Sequence, residues 1–250
     1  MKINILTIFP EMFHSWMNEG VIGRAIGNEL VQINIIDFRD YTENKHKKVD
    51  DYPFGGGDGM LLMAQPLFDA IEQNKLQSSH VIYPSPKGSV LSQDKLEDLS
   101  SFSEVTLVAG RYEGIDQRFI DTYVDEEISL GDYILTGGEL AIQVILDGVI
   151  RLIPGVLGNQ GSFKNDSFSN GLLEHPQYTR PANFRNLEVP EILLSGHHLN
   201  IKQWELEQQL KATAKYRPDL IEQFNINATD EEKKIIKEGE NANEKNNKWN

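Results

Sequence analysis

Short apolar segments alternate with amphipathic ones along most of the chain. Four segments have the composition of buried or half-buried strands, at residues 3–9, 31–38, 80–83 and 105–109. Helical patterns lie between and after them: one has Pro66 in its first turn, one follows a serine cap at Ser92, and one covers residues 139–150. Because strands alternate with helices, the pattern predicts an α/β fold with a mainly parallel sheet and helices on both faces.

The pattern changes at residues 158–170, which are polar and rich in Gly, Ser and Asn, as is typical of linkers. Apolar positions return at helical spacing over residues 191–220. We therefore expect an α/β domain at 1–158, a flexible linker at 159–175, a small helical domain at 176–228, and a weakly helical or disordered tail at 229–250.

Composition excludes several classes of protein. The chain has 250 residues and no cysteine, so disulfide scaffolds, thiolate nucleophiles and cysteine-ligated metals are excluded. The apolar run at the N-terminus stops at Pro10 without a signal-peptide cleavage site, and no apolar stretch is long enough to span a bilayer. We expect a cytoplasmic protein without a membrane partner.

The net charge of −14 disfavours a nucleic-acid partner, because phosphate contacts need a local positive field. The acidic residues are, however, concentrated at residues 51–159, with 17 acidic and 6 basic side chains. Residues 160–217 hold 7 basic and 6 acidic side chains, and residues 39–48 form a small basic cluster. These two regions are compatible with RNA binding, although an ordinary solvated surface explains them as well.

Four glycine-rich strings are candidates for ligand loops. Residues 54–60 read FGGGDGM. This is not a Walker motif, since no Gly-Lys-Ser/Thr follows, and it is not the dinucleotide fingerprint, which should open a helix directly after the first strand, whereas that strand runs into Phe9-Pro-Glu-Met here. The other strings follow strand-like segments and read YPSPKG at 83–88, AGRYEGID at 109–116 and SLGDYILTGGE at 129–139. Loops after parallel strands meet at one sheet edge, so the last three predict a shared ligand site, with ordinary tight turns as the alternative.

Taken together, GGGDGM, GRYEGID, SLGDYILTGGE, IPGVLG, DSF and YTRP resemble the bacterial tRNA (guanine-N1)-methyltransferases of the SPOUT superfamily. The resemblance covers residues 1–220 in order and spacing. Asp58 and Glu205 depart from the family pattern, and Glu205 puts one RNA contact in doubt. The resemblance implies a trefoil knot at the C-terminal end of the α/β domain. It also implies a homodimer with active sites at the subunit interface, S-adenosylmethionine as methyl donor, tRNA as substrate, and Mg²⁺ as a supporting ion without an identified ligand set.

The family pattern also implies roles for particular residues. The donor pocket would be formed by Tyr83, Ser85, Pro86, Gly110, Tyr112, Glu113, Leu130, Gly131, Asp132, Tyr133, Ile134, Leu135, Gly137 and Gly138. Asp166 would accept the proton of guanine N1, and Arg151 would stabilise the charge that develops on O6. A plain loop aspartate and a cation at a helix C-terminus are the alternatives. Candidate tRNA contacts are Lys45, Lys47, Lys48, Gly56, Gly57, Tyr178, Arg180, His197 and Lys202.

The implied reaction is methylation at N1 of the guanosine on the 3′ side of the anticodon, which supports maintenance of the reading frame. That base must leave its stack to expose N1. Two other classes remain open: a related knotted methyltransferase acting on ribosomal RNA, and a non-catalytic RNA-binding module. Zinc is disfavoured, because the adjacent His197 and His198 cannot readily point at one metal ion.

Overall fold

The computed structural model describes residues 1–158, 166–224 and 228–246. The chain divides into two compact units, Met1–Gln160 and Gly161–Asn250, and the described part of each unit has its own hydrophobic core. Among the described residues, no helix combines the length and apolar character needed to cross a bilayer.

The first unit is built on a five-stranded parallel sheet. The strands of the whole unit are β1 (Lys2–Thr7), β2 (Gln32–Asp37), β3 (Asp50–Asp51), β4 (Leu61–Leu62), β5 (His80–Val90), β6 (Glu104–Val108) and β7 (Glu126–Ser129). The sheet has the order β2-β1-β6-β5-β7, and every neighbouring pair is parallel. The short strands β3 and β4 pair antiparallel outside it. The predicted α/β class with a mainly parallel sheet is confirmed.

Helices join these strands. They are α1 (His14–Asn18), α2 (Gly20–Gly27), α3 (Ala64–Gln73), α4 (Gln93–Ser100), α5 (Gln117–Tyr123) and α6 (Glu139–Ile150), with 3₁₀ turns at Pro10–Phe13 and Phe38–Tyr41. The Ser92 hydroxyl accepts a hydrogen bond from the Lys95 N–H at 3.2 Å and caps α4 as predicted. The bounds of α6 are those predicted from its apolar spacing.

Both faces of the sheet are buried. Ile5 of β1 packs with Ile142 of α6 in one core cluster, whereas the next residue, Leu6, packs with Phe119 of α5 in a second cluster. Successive side chains of a strand point to opposite faces, so helices on both sides require apolar residues at consecutive positions. This explains why the strands read as nearly continuous apolar runs.

Strand β5 extends well beyond the predicted end at Tyr83. Its register against β7 shifts between Pro84 and Ser89, which accommodates the two prolines of YPSPKG as an irregularity in the ladder. At Gly88 a Cβ atom would lie 2.3 Å from the backbone carbonyl carbon of Glu127, so only glycine fits beside β7. The irregularity carries Ser85 and Pro86 to the carboxyl edge of the sheet.

The second unit is mostly helical. Its elements are β8 (Asn183–Phe184), β9 (Leu187–Glu188), α7 (Glu191–Leu194), α8 (His198–Tyr216), α9 (Pro218–Phe224) and α10 (Asp230–Asn246). Leu210 of α8, Ile221 of α9 and Ile236 of α10 are buried together in one core cluster. A Cβ at Gly239 would lie 3.0 Å from the Ala214 Cβ, so α10 approaches α8 closely.

Candidate active site

The irregular middle of β5 and the loops that follow β6 and β7 enclose a cleft of about 290 Å³. All three glycine-rich strings that the sequence marks as ligand loops contribute to it. Among the predicted donor-pocket residues, every one except Asp132 lines the cleft: Tyr83, Ser85, Pro86, Gly110, Tyr112, Glu113, Leu130, Gly131, Tyr133, Ile134, Leu135, Gly137 and Gly138. Their role in binding a donor stays a prediction, but their convergence at one sheet edge is a finding of the structure.

Three glycines let the loops approach each other closely. A Cβ at Gly110 would lie 2.8 Å from the Tyr83 ring, and one at Gly137 would lie 2.2 Å from the Arg111 Nε. At Gly138 it would lie 2.9 Å from the Gly110 backbone nitrogen. The Gly138 N–H also donates to the Gly110 carbonyl at 2.9 Å. At Gly138 the second and third loops therefore pack backbone against backbone, whereas Gly110 and Gly137 leave room for the side chains of Tyr83 and Arg111.

Tyr83 forms part of the cleft wall and is almost entirely buried. Burial, followed by the charge of Glu127, raises the pKa of the Tyr83 phenol to about 12. The phenol is therefore neutral throughout the physiological pH range. It offers a ligand an apolar ring and a hydroxyl group rather than a charge.

An arginine not predicted from the sequence joins the loops to the sheet. Arg111 Nη2 lies 2.8 Å from Oε2 of Glu139, which is fully buried. The Thr7 hydroxyl donates to the other oxygen of Glu139 at 3.0 Å. Arg111 also donates to the Thr136 carbonyl at 3.1 Å, and its guanidinium lies 4.5 Å from the centre of the Phe9 ring. The network fixes the second loop to the third loop and to the end of β1.

Two signals for this network are present in the sequence. Arg111 stands inside the glycine-rich string GRYEG, and Glu139 is the first residue of α6, directly after two glycines. From sequence alone, an acidic residue at a helix N-terminus is ordinarily interpreted as a surface residue that complements the helix dipole. The pairing of these two side chains is a tertiary contact across sequence-distant elements, which no local pattern reveals.

The string GGGDGM begins in solvent and ends against the cleft. The Glu113 N–H donates to the Met60 carbonyl at 3.0 Å, and the Leu62 N–H donates to the Gly114 carbonyl at 3.0 Å. A Cβ at Gly59 would meet Glu113 Cγ at 2.7 Å. Gly56 and Gly57, by contrast, are exposed with φ of +80° and +130°. Only the end of this string packs against the donor loops.

The two predicted catalytic residues belong to different units. Arg151 is half-buried and forms the C-cap of α6 in the first unit. Asp166 is half-buried in the second unit, where its carbonyl accepts a hydrogen bond from the Ser169 N–H at 3.2 Å. Their roles as cation and base stay predictions. The predicted linker residues 159–165 lie outside the described part of the chain.

The predicted tRNA contacts are all on the surface. Lys45, Lys47 and Lys48 are exposed; Lys47 pairs with Asp40, and Lys48 Nζ lies 3.3 Å from an Asp51 carboxylate oxygen. Such exposed pairs contribute little to stability. Tyr178, Arg180, His197 and Lys202 are exposed in the second unit.

Glu205, one of the two departures from the family pattern, faces another side chain of its own unit. Its carboxylate lies 3.8 Å from His175 Nε2, and the His175 ring packs edge-on against Trp204. Within residues 1–158, 166–224 and 228–246, no group of three or more His, Cys, Asp or Glu side chains is arranged to hold a metal ion.

Comparison with known proteins identifies relatives over nearly the whole chain. The family model described as tRNA (Guanine-1)-methyltransferase TrmD matches residues 1–223. A tRNA (guanine-N(1)-)-methyltransferase of Ruminiclostridium cellulolyticum is 54% identical over 224 residues, covering 88% of this chain and 96% of the relative. Proteins of the same name from Clostridium botulinum and Halalkalibacterium halodurans are 52% and 51% identical over 239 residues. These alignments cover 95% and 94% of this chain, and 98% and 96% of the relatives.

Proposed function

The chain belongs to the tRNA (guanine-1)-methyltransferase family, and we propose that it transfers a methyl group from S-adenosylmethionine to N1 of the guanosine on the 3′ side of the anticodon. Family membership confirms the resemblance carried by the sequence motifs. The structural observation that carries the proposal is the cleft whose three lining segments contain almost all of the expected donor-pocket residues. A non-catalytic RNA-binding module would have no need of such a cleft.

The cleft suits a nucleoside-like donor. Its volume of about 290 Å³ is at the lower end of the range for small-molecule sites. Bare backbone at Gly110, Gly137 and Gly138 lets planar groups approach peptide N–H and C=O groups closely. When bound, the donor supplies a methyl group on a sulfonium, so the protein needs no nucleophilic side chain.

The protein's task is to prepare the acceptor. Guanine N1 carries a proton, and we propose that the Asp166 carboxylate accepts it as the methyl group arrives. An aspartate is a weak base for this proton. Arg151 compensates by stabilising the negative charge that moves onto O6, which makes the proton easier to remove. Mg²⁺ is proposed as a supporting ion only, and no step of this mechanism uses it.

A symmetric dimer would bring these groups together. Leu140 and Val144 lie one turn apart on α6 and are each about half exposed, and Ile134 in the preceding loop is 83% exposed. Apolar side chains clustered on a surface mark an interaction site. We propose that this face is the two-fold interface, and that each active site joins one subunit's donor cleft to Asp166 of the partner subunit.

We further propose that the chain is knotted at this end of the sheet. The stretch between β7 and α6 would thread past the loop that follows β6. The Gly138–Gly110 hydrogen bond and the absence of room for a side chain at Gly138 support such a close crossing. In this proposal residues 1–158 bind the donor, a linker at 159–175 carries Asp166, and residues 176–228 bind tRNA.

Mass spectrometry of digested tRNA tests the activity directly. Unmodified tRNA is incubated with the protein and isotope-labelled S-adenosylmethionine, and ribosomal RNA is treated in parallel. We expect labelled N1-methylguanosine at the position 3′ of the anticodon and none in ribosomal RNA. Label on ribosomal RNA alone, or on neither RNA, would contradict the proposal.

The role of Asp166 is tested by Asp166→Asn, which keeps the size of the side chain but removes the base. We expect methyl transfer to fall by about a thousandfold, within the usual contribution of a general base. Donor affinity, measured by calorimetry, should stay at the wild-type value. Near-normal turnover by the folded variant would remove Asp166 from the mechanism.

Subunit mixing tests the shared site. A variant with Gly137→Trp blocks the donor cleft and a second variant carries Asp166→Ala, so each should be inactive alone. After unfolding and refolding an equal mixture, half of the dimers should be mixed, each with one intact site, which restores about a quarter of wild-type activity. If subunits exchange but activity does not return, the active site is not shared in this way.

A further inference from the structure

The hairpin formed by β8 and β9 lies in a long exposed stretch of the second unit. All residues from 176 to 188 are exposed. Backbone and side-chain hydrogen bonds nevertheless hold the hairpin together: the Val189 N–H donates to the Ala182 carbonyl at 2.9 Å, and Asn183 Nδ2 donates to a Glu188 carboxylate oxygen at 3.1 Å. A segment in which every residue is exposed gains little from the hydrophobic effect, so its regular form calls for another explanation.

Large apolar side chains are concentrated on one face of this hairpin. Phe184 and Leu187 are opposite each other in the strand register and therefore lie on the same face, and they are 57% and 73% exposed. Tyr178, earlier in the same exposed stretch, is 50% exposed. Three large apolar side chains in so short a stretch form a candidate contact surface.

The turn of the hairpin adds a positive charge to that face. Arg185 and Asn186 occupy its two central positions with φ of +54° and +64°, as a type I′ turn requires. Asparagine adopts this conformation readily, whereas a long side chain such as arginine is uncommon there. In this position the Arg185 guanidinium lies 5.2 Å from the centre of the Phe184 ring.

The charge of the stretch points to an anionic partner. In a chain of net charge −14, residues 176–188 contain Arg180 and Arg185 and a single acidic residue, Glu188. The Glu188 carboxylate accepts the Asn183 hydrogen bond on the other face of the hairpin. Exposed aromatic rings interleaved with arginines match single-stranded nucleic acid, since rings stack on bases and guanidinium groups pair with phosphates.

We propose that the hairpin is an RNA-contact element, in which Phe184 stacks on an unpaired base of the substrate tRNA and Arg185 binds an adjacent phosphate. This inference rests on the proposed function, because it takes tRNA as the substrate. It adds two residues and a mode of contact to the surface that Tyr178 and Arg180 were expected to supply.

Equilibrium binding to unmodified tRNA at several salt concentrations tests the two residues separately. Phe184→Ala should weaken binding about tenfold, as expected for the loss of one base–aromatic stack, and Phe184→Tyr should restore it. Arg185→Ala should weaken binding and lower the slope of log affinity against log salt by about one. Lys237→Ala, which removes an exposed positive charge from α10, is the matched control and should leave the slope unchanged.

Two further measurements define the outcomes. Donor affinity and the molecular mass in solution should be the same for wild type and all four variants. If Phe184→Ala and Arg185→Ala keep the wild-type tRNA affinity and salt slope, the inference is overturned. It is also overturned if these variants lose the molecular mass of the dimer but keep their tRNA affinity, because the hairpin would then be a protein contact. Methylation of the guanosine by the wild-type protein is measured in parallel, so a failure of the proposed function is recognised independently of the hairpin variants.

Discussion

Two sets of glycines in the first unit are needed for different physical reasons. Residues 55–57 are glycines with φ between +80° and +130°, and a Cβ at any of them would meet nothing within 4 Å. Gly110, Gly137 and Gly138 have no such φ, but a Cβ there would lie between 2.2 and 2.9 Å from a neighbouring atom. The exposed loop needs the conformational freedom of glycine, whereas the cleft needs the absence of a side chain.

The difference matters because both sets look alike in the sequence. An exposed glycine with positive φ can be replaced by asparagine at modest cost, since asparagine tolerates the left-handed region. A glycine packed against backbone tolerates no larger residue, and the penalty grows with side-chain size. At the exposed glycines, asparagine should therefore be tolerated better than alanine, whereas at the cleft glycines alanine should be tolerated better than asparagine.

The largest effect is expected for Gly138→Ala, where the new Cβ would collide with backbone atoms of Ala109 and Gly110. Overpacking of this kind costs about 2 kcal/mol, which corresponds to roughly thirtyfold weaker donor binding if the loops must separate. Isothermal titration calorimetry with S-adenosylmethionine measures it. Gly27→Ala, at an open position of α2, is the control and should bind the donor normally. Wild-type affinity in Gly138→Ala would show that the third loop has room to shift.

A somewhat smaller effect is expected for Glu139→Gln, which removes the negative charge that pairs with the Arg111 guanidinium. That guanidinium packs against Gly137. Gln keeps a hydrogen-bonding oxygen, so we expect about 1.5 kcal/mol of lost stability rather than the full penalty of an unpaired buried charge. Urea unfolding of the purified protein measures the change. Thr7→Val removes only the hydroxyl contact to Glu139 and should cost less, about 1 kcal/mol. Equal losses in the two variants would mean that the charge of Glu139 is unimportant.

A third test uses Tyr83, whose ring lies where a side chain at Gly110 would be. Because its folded-state pKa is raised to about 12, the folded protein holds the phenolic proton more tightly than the unfolded chain does. The corresponding stability is complete below pH about 10 and is lost as pH rises toward about 12. The phenolate absorbance of wild type minus that of Tyr83→Phe should titrate in the upper part of this range. A difference curve centred near 10 would show that Tyr83 is accessible to solvent.

The smallest effect is expected in the exposed loop. Gly56→Ala should cost about 1 kcal/mol through its φ of +80°, and Gly56→Asn should cost less. Neither should change donor affinity, while both should raise the KM for tRNA by a few-fold if this loop contacts RNA. Steady-state kinetics, with the donor and the tRNA varied in turn, separates an effect on donor binding from an effect on tRNA binding. Weaker donor binding in Gly56→Asn would remove the distinction between the two sets of glycines.

Local patterns were sufficient for much of the fold. The apolar runs of β1 and β6, the serine cap of α4 and the bounds of α6 follow from spacing and from residue chemistry within a few positions. The rule that loops after parallel strands meet at one edge was enough to bring the strings after β6 and β7 together, whereas YPSPKG reaches the same edge as an irregularity within β5. The resemblance of their motifs to a known family then supplied the donor and the reaction, which no pattern of hydrophobicity contains.

Other features depended on contacts between distant parts of the chain. The sequence by itself determined the α/β class, the ligand loops and the family. Only the tertiary structure decided that Arg111 pairs with Glu139 beneath Phe9, that β5 continues through two prolines beside β7, and that Phe184 and Leu187 share an exposed hairpin face. The physical reason is that spacing encodes which face of an element is apolar, whereas the partner of a buried charge and the space beside a glycine are set by elements far away in the sequence.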